Sequence, residues 1–171
     1  MANNTVTQSR PGTRAADHHT ARHEAAHAVV AARLGLLLMY TDILEHMQRS
    51  GRTRLGRAAA ANPTASATVA AAGIVIECDL RTRFWEISPG APAAGDVMQL
   101  AKIAQRLGVL RHWRDLDDDP VFASWARAAV RRAQVLLRRG GGAAWRRVTA
   151  ALLRDHRVSG AAVYALVQHG R

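Results

Sequence analysis

The residues best suited to chemistry in this 171-residue sequence are His23, Glu24 and His27, which form an HExxH motif. Residues four apart on a helix lie on one face, one turn apart, so both imidazoles can reach a single metal ion. Glu24 directly follows the first histidine and can act as a general base on a water molecule beside the metal. With eight histidines and four glutamates in the chain, chance predicts roughly 0.01 such motifs. The motif therefore predicts a catalytic zinc site; the alternative is a helix that exposes two histidines and binds no metal.

A catalytic zinc site of this type needs a third protein ligand and leaves the fourth position open for water. The sequence offers four nearby carboxylates for this position: Glu77, Asp79, Glu86 and Asp96. Asp96 is the most attractive, because it opens an apolar helix directly after a loop rich in proline and glycine. Its alternative role is that of a first-turn aspartate that interacts with the helix N-terminus. Spacing alone leaves both roles open.

Apolar periodicity and turn residues divide the chain into the elements that must position this site. Helices are predicted over residues 21–34, 63–80, 95–107, 120–139, 143–156 and 159–168. Thr20 is the expected N-cap of the helix that carries the motif, and Gly35 is its expected stop. Two extended segments on either side of Ser50-Gly51 predict a small β element around residues 40–58. The predicted fold class is therefore mainly α, a helical bundle with a small β element.

The length of the chain predicts one domain behind a short polar arm. Residues 1–19 are largely polar and include Asn, Thr, Ser, Pro and Gly, which favours a flexible N-terminal arm. Residues 20–168 are expected to form the single domain. Within it, residues 20–119 hold the metal-site region and residues 120–168 form basic C-terminal helices.

The net charge of +11 is concentrated at the C-terminal end of the chain. Fourteen basic and twelve acidic residues give +2 over residues 1–119, whereas ten arginines and one aspartate give +9 over residues 120–171. Such a surface suits nucleic acid or an acidic partner, and its alternative is a set of solvated helix faces. Nearby tryptophans at 113, 125 and 145 are either base-stacking platforms or packed against the core.

Cysteine usage and hydropathy predict the compartment. The single cysteine, Cys78, excludes an internal disulfide and favours a reducing environment. No apolar run is long enough to span a bilayer, and the N-terminus lacks the apolar core of a signal peptide. We therefore expect a cytoplasmic protein with no membrane partner.

Several segments resemble the FtsH-type zinc metallopeptidases, the protease domain of membrane-bound ATP-dependent zinc proteases. Ala21–Ala31 is similar to the zinc helix of that family, with its HEAGHA core, although Ala26 replaces the glycine. Ala72–Glu77 resembles the small-residue helix of the family that ends in an Ala-Glu pair. Ser88–Asp96 resembles the TGAxxD segment that supplies the third zinc ligand, with two extra residues before Asp96. With the C-terminal helices, the resemblance covers about residues 20–168.

The resemblance implies a stand-alone zinc endopeptidase with a zincin-like helical bundle. His23, His27 and Asp96 would bind Zn²⁺, and Glu24 would be the general base. It also implies an edge strand near the zinc that holds extended peptide, for which Arg54-Leu55-Gly56 is the candidate. Pairing of that kind reads the peptide backbone and tolerates many side chains.

The sequence lacks the GxxxxGK[ST] phosphate loop of an ATPase. We therefore expect ATP-independent cleavage of flexible or unfolded polypeptide segments, unless a separate ATPase delivers the substrate. The alternative function is a non-catalytic adaptor with the same fold, whose basic C-terminal helices bind nucleic acid or an acidic partner. A homo-oligomer is compatible with either function.

Overall fold

The computed structural model describes residues 11–44, 51–57, 61–77, 93–116 and 118–169. Its helices are α1 (Pro11–Arg33), α2 (Pro63–Glu77), α3 (Ala94–Arg106), α4 (Pro120–Arg138), α5 (Ala143–Asp155) and α6 (Gly160–Gln168). Its strands are β1 (Leu38–Asp42), β2 (Arg52–Leu55) and β3 (Arg157–Ser159). Short 3-10 segments cover Trp113–Asp115 and Arg139–Gly142. The predicted fold class, mainly α with a small β element, is confirmed.

The helix that carries the HExxH motif is longer than predicted. It begins at Pro11 and includes residues 11–19, which the sequence assigned to an N-terminal arm, while residues 1–10 lie outside the described residues. Proline suits the first helical turn, where its missing N–H has no partner to lose. Thr20 is buried inside the helix and is not its N-cap. The predicted stop is confirmed, because Gly35 adopts a φ of +70° just beyond the helix end.

α1 lies at the centre of the bundle and packs against α2, α4, α5 and α6. Its residues Ala25, Ala26, Ala28, Val29 and Val30 have no exposed surface. Short side chains allow neighbouring helices to approach closely, because the distance between helix axes depends on the residues at the contact. The alanine content of the chain therefore serves helix packing here. The motif histidines are held by the most enclosed element among the described residues.

The sheet packs against α1 through β1 and β2 and has the strand order β2-β1-β3, with both pairs antiparallel. β1 and β2 confirm the predicted β element, whereas Ser50 of the predicted Ser50-Gly51 turn lies outside the described residues. β3 was not predicted, since three residues are too short to show an alternating pattern. Gly160 follows β3 at a close approach, because a Cβ atom there would overlap the carbonyl oxygen of Leu38.

Side chains cap two of the C-terminal helices. Asp119 accepts hydrogen bonds from the backbone N–H groups of Val121 and Phe122 at the start of α4, at 2.8 and 3.0 Å. The Ser159 hydroxyl accepts one from the N–H group of Ala162 at the start of α6. Among the described helices, none combines the length and apolar character required to cross a membrane.

Candidate metal centre

His23, His27 and Asp96 meet in the interior, as the sequence predicts. The two Nε2 atoms of the histidines are 3.1 Å apart, and Asp96 Oδ2 lies 3.2 Å from that of His23 and 3.3 Å from that of His27. Ligand atoms that surround one tetrahedral ion at zinc-like distances would be separated by about 3.3 Å. The three atoms therefore form a triangle of the size that one metal ion requires, and these residues could hold such an ion.

The outer nitrogen of each imidazole is fixed by an acceptor. His23 Nδ1 donates to Glu77 Oε1 and His27 Nδ1 donates to the carbonyl oxygen of Val69, both at 2.8 Å. A carbonyl oxygen only accepts hydrogen bonds, and an ionised carboxylate does the same. The proton of each neutral imidazole is thereby placed on Nδ1. Both Nε2 lone pairs then point into the triangle, which is the tautomer that a metal ligand needs.

The triangle consequently contains three acceptors and no donor. Asp96 Oδ2 is buried and has no hydrogen-bond partner among the described residues when both Nε2 atoms are unprotonated. Buried acceptors that face one another without a donor are costly, and negative charge adds to that cost. A cation between the three atoms removes the conflict. The arrangement is therefore built for a positive charge, either a metal ion or a proton.

The same geometry determines how the metal-free site holds protons. Burial lowers the pKa of His23, but hydrogen bonds with Asp96 and Glu77 outweigh it and raise the pKa to about 10. Burial likewise lowers the pKa of His27, and the charge of Asp96 raises it above its ordinary value. Burial raises the pKa of Asp96, but the two histidines lower it to about 2. Without a metal ion, His23 is therefore charged near neutral pH and lies beside an ionised Asp96.

We expect metal binding at this site to release protons. The pKa of His23 rises from 6.5 to about 10, so a metal ion must displace its proton throughout that pH window. The apparent affinity for Zn²⁺ should then rise with pH by about tenfold per pH unit for each proton released. Calorimetric titration with Zn²⁺ in buffers of different ionisation enthalpy measures both quantities. A pH-independent affinity without proton release would contradict this expectation.

Glu77 lies beside the candidate metal ligands and does not belong to the triangle. Its Oε1 accepts from His23 Nδ1, and its Oε2 accepts from the backbone N–H of Ala93 at 2.9 Å, just before α3. It thus connects the imidazole on α1 to the start of the helix that supplies Asp96. A carboxylate in this position orients the histidine and increases its basicity as a ligand. The other two candidates, Asp79 and Glu86, lie outside the described residues.

Glu24 is buried next to the triangle, and a strand fixes its carboxylate. Thr53 on β2 donates its hydroxyl to Glu24 Oε2 at 2.8 Å, and the Thr41 hydroxyl on β1 lies 2.9 Å from that of Thr53. Burial raises the pKa of Glu24, and the charges of His27 and His23 oppose that effect. Sequence reasoning missed Thr53, because a threonine in a strand is ordinary β propensity and carries no signal of function.

Gly73 on α2 leaves the space in which the triangle lies. A Cβ atom at this position would overlap Asp96 Oδ2 and would lie 2.8 Å from His23 Nε2. α2 therefore crosses the site at a distance that only glycine permits. The sequence identified the small-residue character of this helix but not the role of this residue.

The other histidines and tryptophans that the structure describes do not join the site. His18, His19, His112, His156 and His169 are exposed, and His46 lies outside the described residues. Trp125 and Trp145 pack against the core, and the indole of Trp145 also donates to the carbonyl oxygen of Arg22 at 2.9 Å. Trp113 keeps 38% of its surface exposed. Trp125 and Trp145 thus pack against the core, which was one of the two roles expected for these tryptophans.

The chemistry of the site combines two imidazoles and a carboxylate that face one point with a second, buried carboxylate at its side. Such a set can hold a metal ion and move a proton next to it. Comparison with known proteins found no family model that matches the chain and no curated protein that matches it.

Proposed function

We propose that the protein is a zinc-dependent endopeptidase that hydrolyses peptide bonds in flexible or unfolded polypeptide segments. One observation carries the proposal. His23 Nε2, His27 Nε2 and Asp96 Oδ2 form a buried triangle of acceptors with edges of 3.1 to 3.3 Å. The HExxH motif places Glu24 directly beside it. The resemblance to FtsH-type metallopeptidases rests on the same residues.

The donor set favours zinc among the common metals. Mg²⁺ and Ca²⁺ prefer oxygen ligands and higher coordination numbers, whereas two imidazoles and one carboxylate suit a tetrahedral zinc ion with one open position. His23, His27 and Asp96 would hold the ion. When bound, zinc lowers the pKa of water and polarises the carbonyl group of a substrate.

Glu24 is the proposed general base. Its carboxylate would accept a proton from the attacking water and return that proton to the leaving amine. The hydrogen bond from Thr53 holds Oε2 at a fixed place, so the other oxygen is the one available for proton transfer. Burial raises the pKa of this carboxyl, which brings its proton affinity closer to that required near neutral pH.

The position of β2 supports a polypeptide substrate. In the described part of the sheet, β2 pairs only with β1, so its other edge presents backbone groups. An extended peptide can add to such an edge, which requires a flexible or unfolded segment. Of the sequence candidate Arg54-Leu55-Gly56, the first two residues lie in β2. Gly56 lies beyond the strand, and its N–H donates to the carbonyl oxygen of Leu37 at 2.8 Å.

Metal removal tests the proposal. We expect the purified protein to contain one zinc ion per chain and to cleave reduced, unfolded casein without ATP. Treatment with 1,10-phenanthroline should abolish cleavage, because the chelator removes the ion on which the proposed reaction depends. Added Zn²⁺ should restore cleavage. Elemental analysis and gel electrophoresis measure the two outcomes. A protein that binds no metal, or whose cleavage of casein resists the chelator, would refute the proposed function.

A further inference from the structure

β2 carries a pair of exposed arginines beside Glu24. Arg52 and Arg54 are both exposed, and Thr53 between them turns its hydroxyl to the Glu24 carboxylate. Residues two apart in a strand point to the same face of the sheet. The two guanidinium groups therefore lie on the face opposite to the contact with the catalytic carboxylate. Both arginines thus belong to the part of β2 that borders the candidate site.

The strand register shows which other charges share this face. Asp42 on β1 stands opposite Arg52 on one side and opposite Arg157 on the other. Asp42 is fully buried and is the single acidic residue in the three strands. Its Oδ2 lies 3.7 Å from Arg157 Nε. The Arg157 guanidinium also stacks on Tyr40, with its central carbon 3.9 Å from the centre of the ring. This face of the sheet therefore holds three arginines against one carboxylate.

We infer that the edge strand selects polypeptide segments with acidic side chains at alternate positions. The inference rests on the proposed peptidase function and specifies its substrate class. A peptide that adds to β2 places every second side chain on the face of Arg52 and Arg54. Opposite charges in neighbouring strands attract, and like charges directly opposite repel. Asp or Glu two residues apart would thus match the strand, whereas Lys or Arg at these positions would be disfavoured.

The expected preference is moderate because the arginines are exposed. Each exposed pair of opposite charges contributes little, so two together should favour an acidic over a neutral peptide about fivefold in kcat/KM. The preference should decrease at high ionic strength, because salt screens exposed charges. The positive charge of the whole chain also attracts acidic peptides. The experiment must therefore separate the effect of Arg52 and Arg54 from the effect of the net charge of the protein.

The test compares three unstructured, quenched fluorescent peptides of equal length whose alternate residues are Glu, Gln or Lys. We expect kcat/KM to decrease from Glu to Gln to Lys in the unaltered protein. Arg52→Gln with Arg54→Gln should remove this order, and Arg52→Glu with Arg54→Glu should reverse it. The control, Arg131→Glu with Arg138→Glu on the exposed face of α4, makes the same change in net charge and should preserve the order.

The readout is the ratio of rates within each variant, so a general loss of activity cancels, and circular dichroism verifies the fold. Equal cleavage of the three peptides by the unaltered protein would overturn the inferred acidic preference but not the proposed peptidase function. An unchanged order in the Arg52→Glu, Arg54→Glu variant would do the same. Failure of the unaltered, zinc-loaded protein to cleave any of the three would instead refute the proposed peptidase function.

Discussion

Glu24→Gln is expected to reduce kcat for peptide hydrolysis by about 10³-fold while zinc remains bound. The amide has the shape of the carboxylate, and its oxygen can still accept the hydrogen bond from Thr53, but it cannot take a proton from water. The folded protein should not be weakened. Burial raises the pKa of Glu24, so its ionised form destabilises the fold above the ordinary pKa of a glutamate, and a neutral amide removes that cost.

Three measurements isolate the role of the carboxylate: kcat on a fluorogenic peptide, zinc content and the melting temperature. Asp118→Asn is the matched control, because it makes the same chemical change at an exposed position away from the site. It should hydrolyse the peptide at the unaltered rate. If Glu24→Gln retained most of its activity with zinc in place, Glu24 would not be the general base.

Gly73→Ala is expected to weaken zinc binding by at least about 100-fold. The added Cβ atom would overlap Asp96 Oδ2 and press on the ring of His23, so both ligands must leave the triangle. α2 itself tolerates the change, since alanine favours a helix more than glycine does. The variant should therefore fold without metal, and peptide hydrolysis should disappear together with zinc binding. Competition with a chromophoric chelator measures the affinity.

Gly95→Ala provides a control for this substitution. Gly95 also lies in a helix and directly precedes Asp96, yet a Cβ atom there would meet nothing within 4 Å. Zinc affinity should remain unchanged in this variant. Equal zinc affinity in Gly73→Ala and the unaltered protein would mean that the ion does not occupy the triangle formed by His23, His27 and Asp96.

The ligand set was predictable because its information is local. Helical spacing places His23 and His27 on one face. Asp96 was the preferred third ligand because it opens a helix after a loop rich in proline and glycine. The supporting residues are different. Glu77 is 54 positions from His23, and Thr53 is 29 positions from Glu24, so only the packing of α1 against other elements brings them together. No pattern in the sequence records such a contact.

The boundaries that were missed have similar causes. Residues 11–19 are polar and show no apolar periodicity, so a helix there has no signal beyond the proline that can occupy its first turn. β3 forms because the chain returns to β1 after α5, with His156 in a left-handed conformation at φ 57°. Its three residues pair through backbone groups, which depends on where β1 lies and not on their side chains.

The enclosure of α1 limits how this protein can diverge over evolutionary time. Ala25, Ala26 and Ala28 have no exposed surface, and α1 packs against four helices and two strands. The backbone of such an element cannot move aside as easily as the end of a long side chain. Any larger residue there would force a whole helix outward, and overpacking of this kind typically costs about 1–3 kcal/mol. Arginines on the exposed face of α4 have no such restriction. Substitutions should therefore accumulate on the basic surface, while these alanine positions of α1 exchange only among the smallest residues.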